Sequence, residues 1–551
     1  MPAAPAASRR RFLQLAGAAP LGLAACAMAP QAGRFSHGVA SGDPDQSSLL
    51  LWTRYLPVDG ARARLTWQVA ADAGFSRLLA EGEAWAEPAR DYCVKAIAAG
   101  LPPDMPVHYR FRAGDGAVSP PGRGRTLPAD GQRPLTLPVF SCANIGFGHF
   151  NAYAHAAARD DLDLLLHLGD YIYELGDQVY PSPAQRAPGR EGLEPPHEIV
   201  ALADYRRRYA FYRADPDLQA LHARHSMMAV WDDHEFANDA WRDGAQNHQP
   251  DQEGPWPARR AAARQAYYEW LPIRDAAQLY RQVALGGLAD LILLDTRLVG
   301  RDRQAAVPRE LYTAASESEA YAKALARYRG QLADPRRQLL GPEQEAWLDR
   351  ALAASQQRGA SWQIVAQQVV LGQRFFPADI GTALPDTASA NLRQSLQRRA
   401  ELAQQGITTT PDSWPGYHAA RQRLLDQATI AGRRVLLLAG DTHNAWAYGH
   451  RGADGRMVAE FATPGVCSPG LESFVPLAPE RLAAGMRQAS PDMLWCDTAR
   501  RGYLSLRITA DSAEATWHLL ADIRQRNTGL ALEHKLTARA TADSLTLSAS
   551  A

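Results

Sequence analysis

Four hydrophobic runs of this chain end in side chains that can bind a metal ion or move a proton. Leu135–Phe140 runs into Ser141-Cys142-Ala143-Asn144, and Leu162–Leu168 runs into Gly169-Asp170-Tyr171-Ile172-Tyr173. Ser226–Trp231 runs into Asp232-Asp233-His234-Glu235, with Asn238 and Asp239 just beyond. Arg434–Leu438 runs into Gly440-Asp441-Thr442-His443-Asn444. Ligands of open α/β sheets bind at the carboxyl ends of the strands, so these distant stretches are expected to converge on one pocket. A single Asp after a strand is an ordinary helix cap. Four carboxylates gathered in one partly buried place repel each other and carry a heavy desolvation cost unless cations neutralise them. A carboxylate shared between ligands on both sides is the arrangement of a two-metal hydrolytic centre.

Ligand type narrows the metals. Cys142 offers a thiolate, Tyr173 a phenolate and His443 an imidazole. Phenolate is a hard anionic ligand that suits a trivalent ion, as it does in tyrosine-ligated haem iron. A Cys/Asp/Tyr/His set therefore points to Fe³⁺ at one position. Oxygen ligands around Asp233 and Asp441 point to a hard divalent ion, Ca²⁺, Mg²⁺ or Mn²⁺, at the other. By ligand type alone Zn²⁺ stays open.

The elements that must position these groups follow from the pattern. From Leu135 to about residue 520, buried-strand runs alternate with helical stretches such as Asp204–Tyr212 and Gln344–Gln356, an α/β arrangement with a sheet covered on both faces. Residues 35–130 read instead as short strands with turn punctuation at Gly42-Asp43-Pro44 and Gly114-Asp115-Gly116, a small β-sandwich of immunoglobulin or fibronectin-III type. Residues 521–551 form a C-terminal piece whose last stretch, Ala538 to Ala551, is small and polar and is expected to fray.

At the other end, Ser8-Arg9-Arg10-Arg11-Phe12-Leu13 precedes an apolar stretch from Leu15 to Ala25 and then Cys26. A basic start before a short apolar run is an export signal. The paired arginines resemble a twin-arginine signal, and Leu23-Ala24-Ala25-Cys26 resembles a lipobox with Cys26 as lipid anchor. Residues 1–25 are thus expected to be removed. The Tat translocase is the expected partner during export, and the periplasm, or its membrane face, the expected destination.

Lys+Arg 59 against Asp+Glu 59 over 551 residues gives a net charge of +0, which argues against a nucleic-acid partner other than as substrate. Five cysteines are too few for a disulfide scaffold at this length. A monomer is expected.

The chain resembles the PhoD-type alkaline phosphatases of the calcineurin-like metallophosphoesterase superfamily. The resemblance rests on Phe35-Ser36-His37-Gly38-Val39-Ala40-Ser41-Gly42-Asp43-Pro44 with Leu51-Trp52-Thr53-Arg54, and on the Ser-Cys-Ala-Asn and Gly-Asp-Tyr-Ile-Tyr-Glu stretches. It continues through Trp231-Asp232-Asp233-His234-Glu235, Ala366-Gln367-Gln368 and Gly440-Asp441-Thr442-His443. It implies an α/β metallophosphoesterase sandwich as the catalytic fold. By the same resemblance Fe³⁺ would be held by Cys142, Asp170, Tyr173 and His443. Ca²⁺ would be held by Asp170, Asp233 and Asp441, with Asn238 a weaker candidate and Mn²⁺, Mg²⁺ or Zn²⁺ as alternative ions. One departure is Asp412-Ser413-Trp414-Pro415-Gly416-Tyr417, which carries proline where the family pattern has an acidic residue.

The implied chemistry is attack of a metal-bound hydroxide on phosphorus, with no Ser or Cys nucleophile. His234 is the candidate proton donor to the leaving oxygen. Arg208 and Arg501 are candidate bidentate partners for the phosphoryl oxygens, where transition-state charge is spread. The reading is an exported, metal-dependent alkaline phosphatase acting on phosphate monoesters and diesters. Two alternatives stand beside it: a phosphodiesterase or phospholipase D-like enzyme of envelope diesters, and a non-enzymatic envelope binding protein. If Fe³⁺ sits on Tyr173, the purified protein shows a visible charge-transfer band, and Tyr173→Phe abolishes it; absorption spectra of the two proteins check this.

Overall fold

The computed structural model describes residues 34–131 and 133–549. The expected signal sequence and Cys26 lie outside the described residues. A ten-stranded sheet and a seven-stranded sheet share one apolar core. The order in the first sheet is 545–549, 530–540, 512–520, 502–508, 135–140, 165–167, 227–229, 39–42, 48–54 and 93–99. The order in the second is 281–285, 289–293, 362–366, 435–439, 457–462, 445–451 and 493–497. Strands 165–167, 227–229 and 435–439, which lead to candidate ligands, run parallel to both neighbours; 135–140 is parallel to 165–167 and antiparallel to 502–508.

Alternation of side chains explains how the second sheet is buried on both faces. Ile364, Leu436 and Leu438 point into the core shared by the sheets. Val365, Val435 and Leu437 point the other way, into a second core with Leu348 and Leu352 of the helix Pro342–Gln357 and Leu424 of the helix His418–Ala428. Expected strands Leu135–Phe140 and Trp362–Ala366 form over those residues. Two others are shorter than their hydrophobic runs, as Leu165–His167 and Met227–Ala229. Beyond them Leu168 and Val230 still donate to the Phe140 and His167 carbonyls at 2.8 and 3.0 Å, and the chain then leaves the sheet for the site. Gly169 makes one of these exits possible: its φ is +99°, and a Cβ there would lie 2.3 Å from the Asp232 nitrogen.

The seven strands between residues 39 and 125 lie in two layers around Val39, Leu49, Leu51, Leu65, Trp67, Val69 and Phe111. The domain boundary expected near residue 130 does not coincide with a break in the sheets. Strand Val39–Gly42 pairs in parallel with Met227–Ala229, so three N-terminal strands extend the ten-stranded sheet. The four strands 63–70, 78–86, 106–113 and 122–125 form a separate sheet over them. The expected fraying of the C-terminus is also corrected. Leu530–Ala540 and Leu545–Ala549 pair as an antiparallel edge, because Leu536, Ala538 and Leu545 reach the main core despite the small polar residues between them.

Trp52 ties the N-terminal strands to the rest. It is fully buried, and its Nε1 donates to the Glu269 carbonyl at 2.8 Å. Arg213 lies over its ring at 4.1 Å, and the ring of Trp270 is 6.0 Å away. Trp52→Ala leaves a large void and an unpaired carbonyl, so a loss of about 3–5 kcal/mol is expected in chemical denaturation.

Candidate metal centre

The carboxyl ends of both sheets meet at one cleft of about 220 Å³, walled by Asp170, Leu175, Tyr180, Asp233, His234, Asn238, Asp239, Asp441 and His443. The sheets touch at Gly440, where a Cβ would meet the Cβ of Ser141 at 2.7 Å. Five non-glycine residues here hold left-handed backbone: Cys142, Asp170, Asp239, Asp441 and His443, with φ between 53° and 63°. Such conformations cost about 1–3 kcal/mol each and persist where surrounding structure over-determines them. Here that structure is a set of backbone bonds. Cys142 N donates to the Gly169 carbonyl at 3.2 Å, and Ala143 N to the Asp170 carbonyl at 2.9 Å. The buried Glu235 carboxylate accepts from the nitrogens of Asp170, Tyr171 and Asp232 at 2.9, 2.6 and 2.7 Å.

One group of donors is Cys142, Asp170 and His443, whose ligand atoms lie within 4.8 Å of one another. Tyr173 completes it: its hydroxyl lies 3.1 Å from Asp170 Oδ2, 3.3 Å from His443 Nε2 and 2.6 Å from Ser468 Oγ. His443 Nδ1 is 2.5 Å from the Pro469 carbonyl, which can only accept. The ring proton therefore sits on Nδ1, and Nε2 keeps its lone pair for a metal, the second-sphere arrangement usual for ligating histidines. Burial lowers the His443 pKa to about 3, so the ring is neutral. Burial and the Asp170 charge raise the Cys142 thiol.

The second group gathers carboxylates. Asp170 and Asp233 lie with His234, Asp232 and Asp233 with Asp441, and Asp233 with Asp239 and Asp412, each trio within 4.8 Å. Burial raises Asp170 and Asp232 well above the carboxylate range, and nearby carboxylates add to it. Burial likewise carries Asp441 to about 6 and Asp239 to about 8. Asp233 goes the other way, to about 2, because Arg297 and His234 outweigh its burial. These groups fit cations. The hard oxygen donors converge, and the buried Asp232 Oδ2 has no hydrogen-bond partner among the described residues.

His234 stands at the cleft with Nδ1 2.6 Å from the buried Glu174 Oε2. Glu174 Oε1 in turn accepts from Asn238 N at 2.7 Å and Asn247 Nδ2 at 3.0 Å. Asn238 itself walls the cleft, and its amide nitrogen donates to Gln246 at 3.1 Å.

The two arginines expected to face phosphate do not do so. Arg208 directs its N–H groups to five backbone carbonyls, those of Tyr173, Leu175, Glu194, Pro195 and His197. Arg501 donates to the carbonyls of Ser468, Ala499 and Arg500 and pairs with Glu472. Both are buried, and a guanidinium whose donors are already engaged cannot fork onto a phosphate. Arg208 staples the loop that follows Tyr173, and Arg501 backs the Ser468 turn.

The arginine that does reach the site was not foreseen. Arg297 is fully buried, pairs with Asp232, and reaches Asp233 at 3.3 Å, Asp412 at 2.7 Å and Asp441 at 2.7 Å. It follows a strand, in Leu294-Asp295-Thr296-Arg297, with the same hydrophobic-run-then-polar signature as the ligand stretches. Asp412 is further held by Arg301 and by Gln304 Nε2 at 2.5 Å. Ser468 and Pro469 left only a Gly/Pro/Ser turn in the sequence.

Comparison with known proteins places this geometry. The family model for PhoD-like phosphatases matches residues 137–517, and that for their N-terminal domain matches residues 22–128. Alkaline phosphatase D of Bacillus subtilis (strain 168) is 35% identical over 430 residues, 75% of this chain. The chain spans 65% of that relative's length. A solved structure of PhoD superposes with a TM-score of 0.74 at 28% identity, covering 95% of this chain and 93% of that one. Purple acid phosphatase PPD1 from yellow lupin (Lupinus luteus) seeds superposes at 0.51 with 11% identity, over 90% of this chain and 73% of that one, a likeness of fold alone.

The reassignment of Arg208 is open to test. Arg208→Ala frees five backbone carbonyls, so the segment between Glu174 and Glu198 should be cut several-fold faster in limited proteolysis followed by mass spectrometry. Unchanged cleavage would remove the stapling role.

Proposed function

Because this chain belongs to the PhoD-like phosphatase family, we propose that it is a metal-dependent alkaline phosphatase hydrolysing phosphate monoesters and diesters. The observation that carries the reading is the convergence of Cys142, Asp170, Tyr173 and His443 with Asp233 and Asp441 on one small cleft. Cys142, Asp170, Tyr173 and His443 would hold Fe³⁺. Asp170, Asp233 and Asp441 would hold Ca²⁺, with the Asn238 amide oxygen beside them. When bound, the ions supply the Lewis acidity that makes water nucleophilic near neutral pH and that offsets phosphoryl charge.

The chain's own residues do the rest. Asp170 belongs to both donor groups and fixes their spacing. Its backbone nitrogen is held by Glu235, and its carboxylate faces the cleft, accepting from the Tyr173 hydroxyl at 3.1 Å and the His234 N–H at 3.4 Å. His234 presents Nε2 while Glu174 fixes the ring at Nδ1. Against burial, the Glu174, Asp170 and Asp233 charges keep the His234 proton on the ring, as a donor to a leaving alkoxide requires. Tyr180 and Leu175, on the loop stapled by Arg208, form the apolar side of the cleft.

The remaining expectations are part of the same proposal. The chain is exported by the twin-arginine route to the periplasm, with Cys26 as lipid anchor, and acts as a monomer. Its first hundred or so described residues act as an immunoglobulin-like or fibronectin-III-like module attached to the catalytic sheet. Asp170→Asn keeps the shape of the side chain but not its charge. It is expected to bring p-nitrophenyl phosphate hydrolysis to background and to empty the protein of iron and calcium by elemental analysis. Normal turnover by this variant would sink the metal mechanism. Rates on p-nitrophenyl phosphate and its bis-ester, measured side by side on the native protein, separate monoesterase from diesterase.

A further inference from the structure

Asp232, Asp233 and Asp441 have the spacing of a metal triad, with oxygens within 4.8 Å of one another. Yet all three already face the same cation. Arg297 Nε is paired with Asp232, and its Nη2 is 3.3 Å from Asp233 Oδ1 and 2.7 Å from Asp441 Oδ1. Its third nitrogen, Nη1, lies 2.7 Å from Asp412 Oδ2. The side chain is fully buried, its backbone nitrogen is fixed on Asp295 Oδ1 at 2.9 Å, and Asp295 is in turn held by Gln344 at 2.8 Å. The guanidinium is therefore a rigid, permanent charge whose three nitrogens are distributed over four carboxylates from three separate loops.

We propose that Arg297 is a positioning residue that takes the place of a metal ion: its guanidinium fills the Asp232/Asp233/Asp441 triad and thereby confines divalent cations to the Asp170 side of the cleft. The inference rests on the two-metal reading above and adds to it a limit on how many ions the carboxylates accept. The geometry divides the oxygens accordingly. Asp441 gives Oδ1 to Arg297 and keeps Oδ2. Asp233 gives Oδ1 to Arg297 and accepts the Asp239 N–H on Oδ2 at 2.6 Å. Asp232 does not line the cleft, and its buried Oδ2 has no hydrogen-bond partner among the described residues. Without the guanidinium, this triad is an uncompensated set of buried charges, which a divalent ion can neutralise.

The test is metal stoichiometry. Wild type, Arg297→Ala and Arg297→Lys are purified under identical conditions, checked for folding by circular dichroism, and titrated with calcium chloride while iron is measured by elemental analysis. Arg297→Ala is expected to bind one more calcium ion per chain than wild type. Arg297→Lys retains the charge and is expected to keep the wild-type number while losing the fork, with at least a tenfold lower kcat/KM. Equal calcium numbers in all three folded proteins would overturn the proposal, since that result means that protonation of Asp232, not a metal, replaces the guanidinium. If Arg297→Ala fails to fold, the lysine variant decides: an extra calcium ion there also overturns it, and a wild-type number supports it. Failure of the two-metal reading looks different, because wild type itself would then hold no metal, and this inference would fall with it.

Discussion

Everything at this site depends on keeping several carboxylates close together in a buried place. Asp170, Asp232, Asp233, Asp239, Asp412 and Asp441 come from loops far apart in sequence, and burial alone drives most of them toward the protonated form. The protein answers with a small number of fixed positive groups. Arg297 and Arg301 reach the carboxylates from behind, and His234, itself clamped by Glu174, approaches from the cleft. The sheets explain why such an arrangement can be held. Parallel strands buried on both faces are stiff supports, and the loops at their carboxyl ends are hydrogen-bonded to each other.

The same constraint accounts for the unusual backbone. A metal donor on a loop has to point back toward the sheet axis, and a left-handed residue turns the chain sharply enough to do it. Of the non-glycine residues with positive φ among the described residues, nearly half lie in this one cleft. Aspartate tolerates this conformation better than most side chains, and three of the five are aspartates. Histidine shares that tolerance, and Pro469 fixes the ring of His443; Cys142 lacks it, and its place is fixed by the Gly169 carbonyl.

Much of the candidate site was legible in the sequence because donor side chains at strand ends announce themselves. A hydrophobic run followed by Asp, Cys or His gave Cys142, Asp170, Asp233, Asp441 and His443 their places at strand ends. What surrounds the ligands was less legible, for two reasons. Arg297 follows a strand in the same way but carries the charge of a counter-ion, so a search for donors passes over it. Arg208 and Arg501 look like phosphate binders by type, and only tertiary structure reveals that backbone carbonyls have claimed their donors. Glu174 and Glu235 sit inside recognisable stretches, yet their roles depend on partners 60 and 65 residues away. At the level of fold, the two halves of the chain differ in grammar but not in sheet. Parallel pairing of Val39–Gly42 with Met227–Ala229 joins residues whose local patterns give no sign of each other. The C-terminal hairpin was hidden by its composition, since alternate burial of Leu536, Ala538 and Leu545 needs only a few apolar side chains.

That shared sheet has a consequence for how the molecule is made. Ser468 Oγ donates to the Cys142 carbonyl across 326 residues, and Tyr173 reaches His443 across 270. Closing loops of that length by the site's own contacts would be slow, because non-local contacts form only after their entropy has been met. The strands supply that closure instead: Leu135–Phe140 pairs with Gly502–Ile508, and Val435–Ala439 with Met457–Ala462. The ordered sheets are thus the precondition of the site: a fragment that lacks one of them holds individual donors but not their cluster.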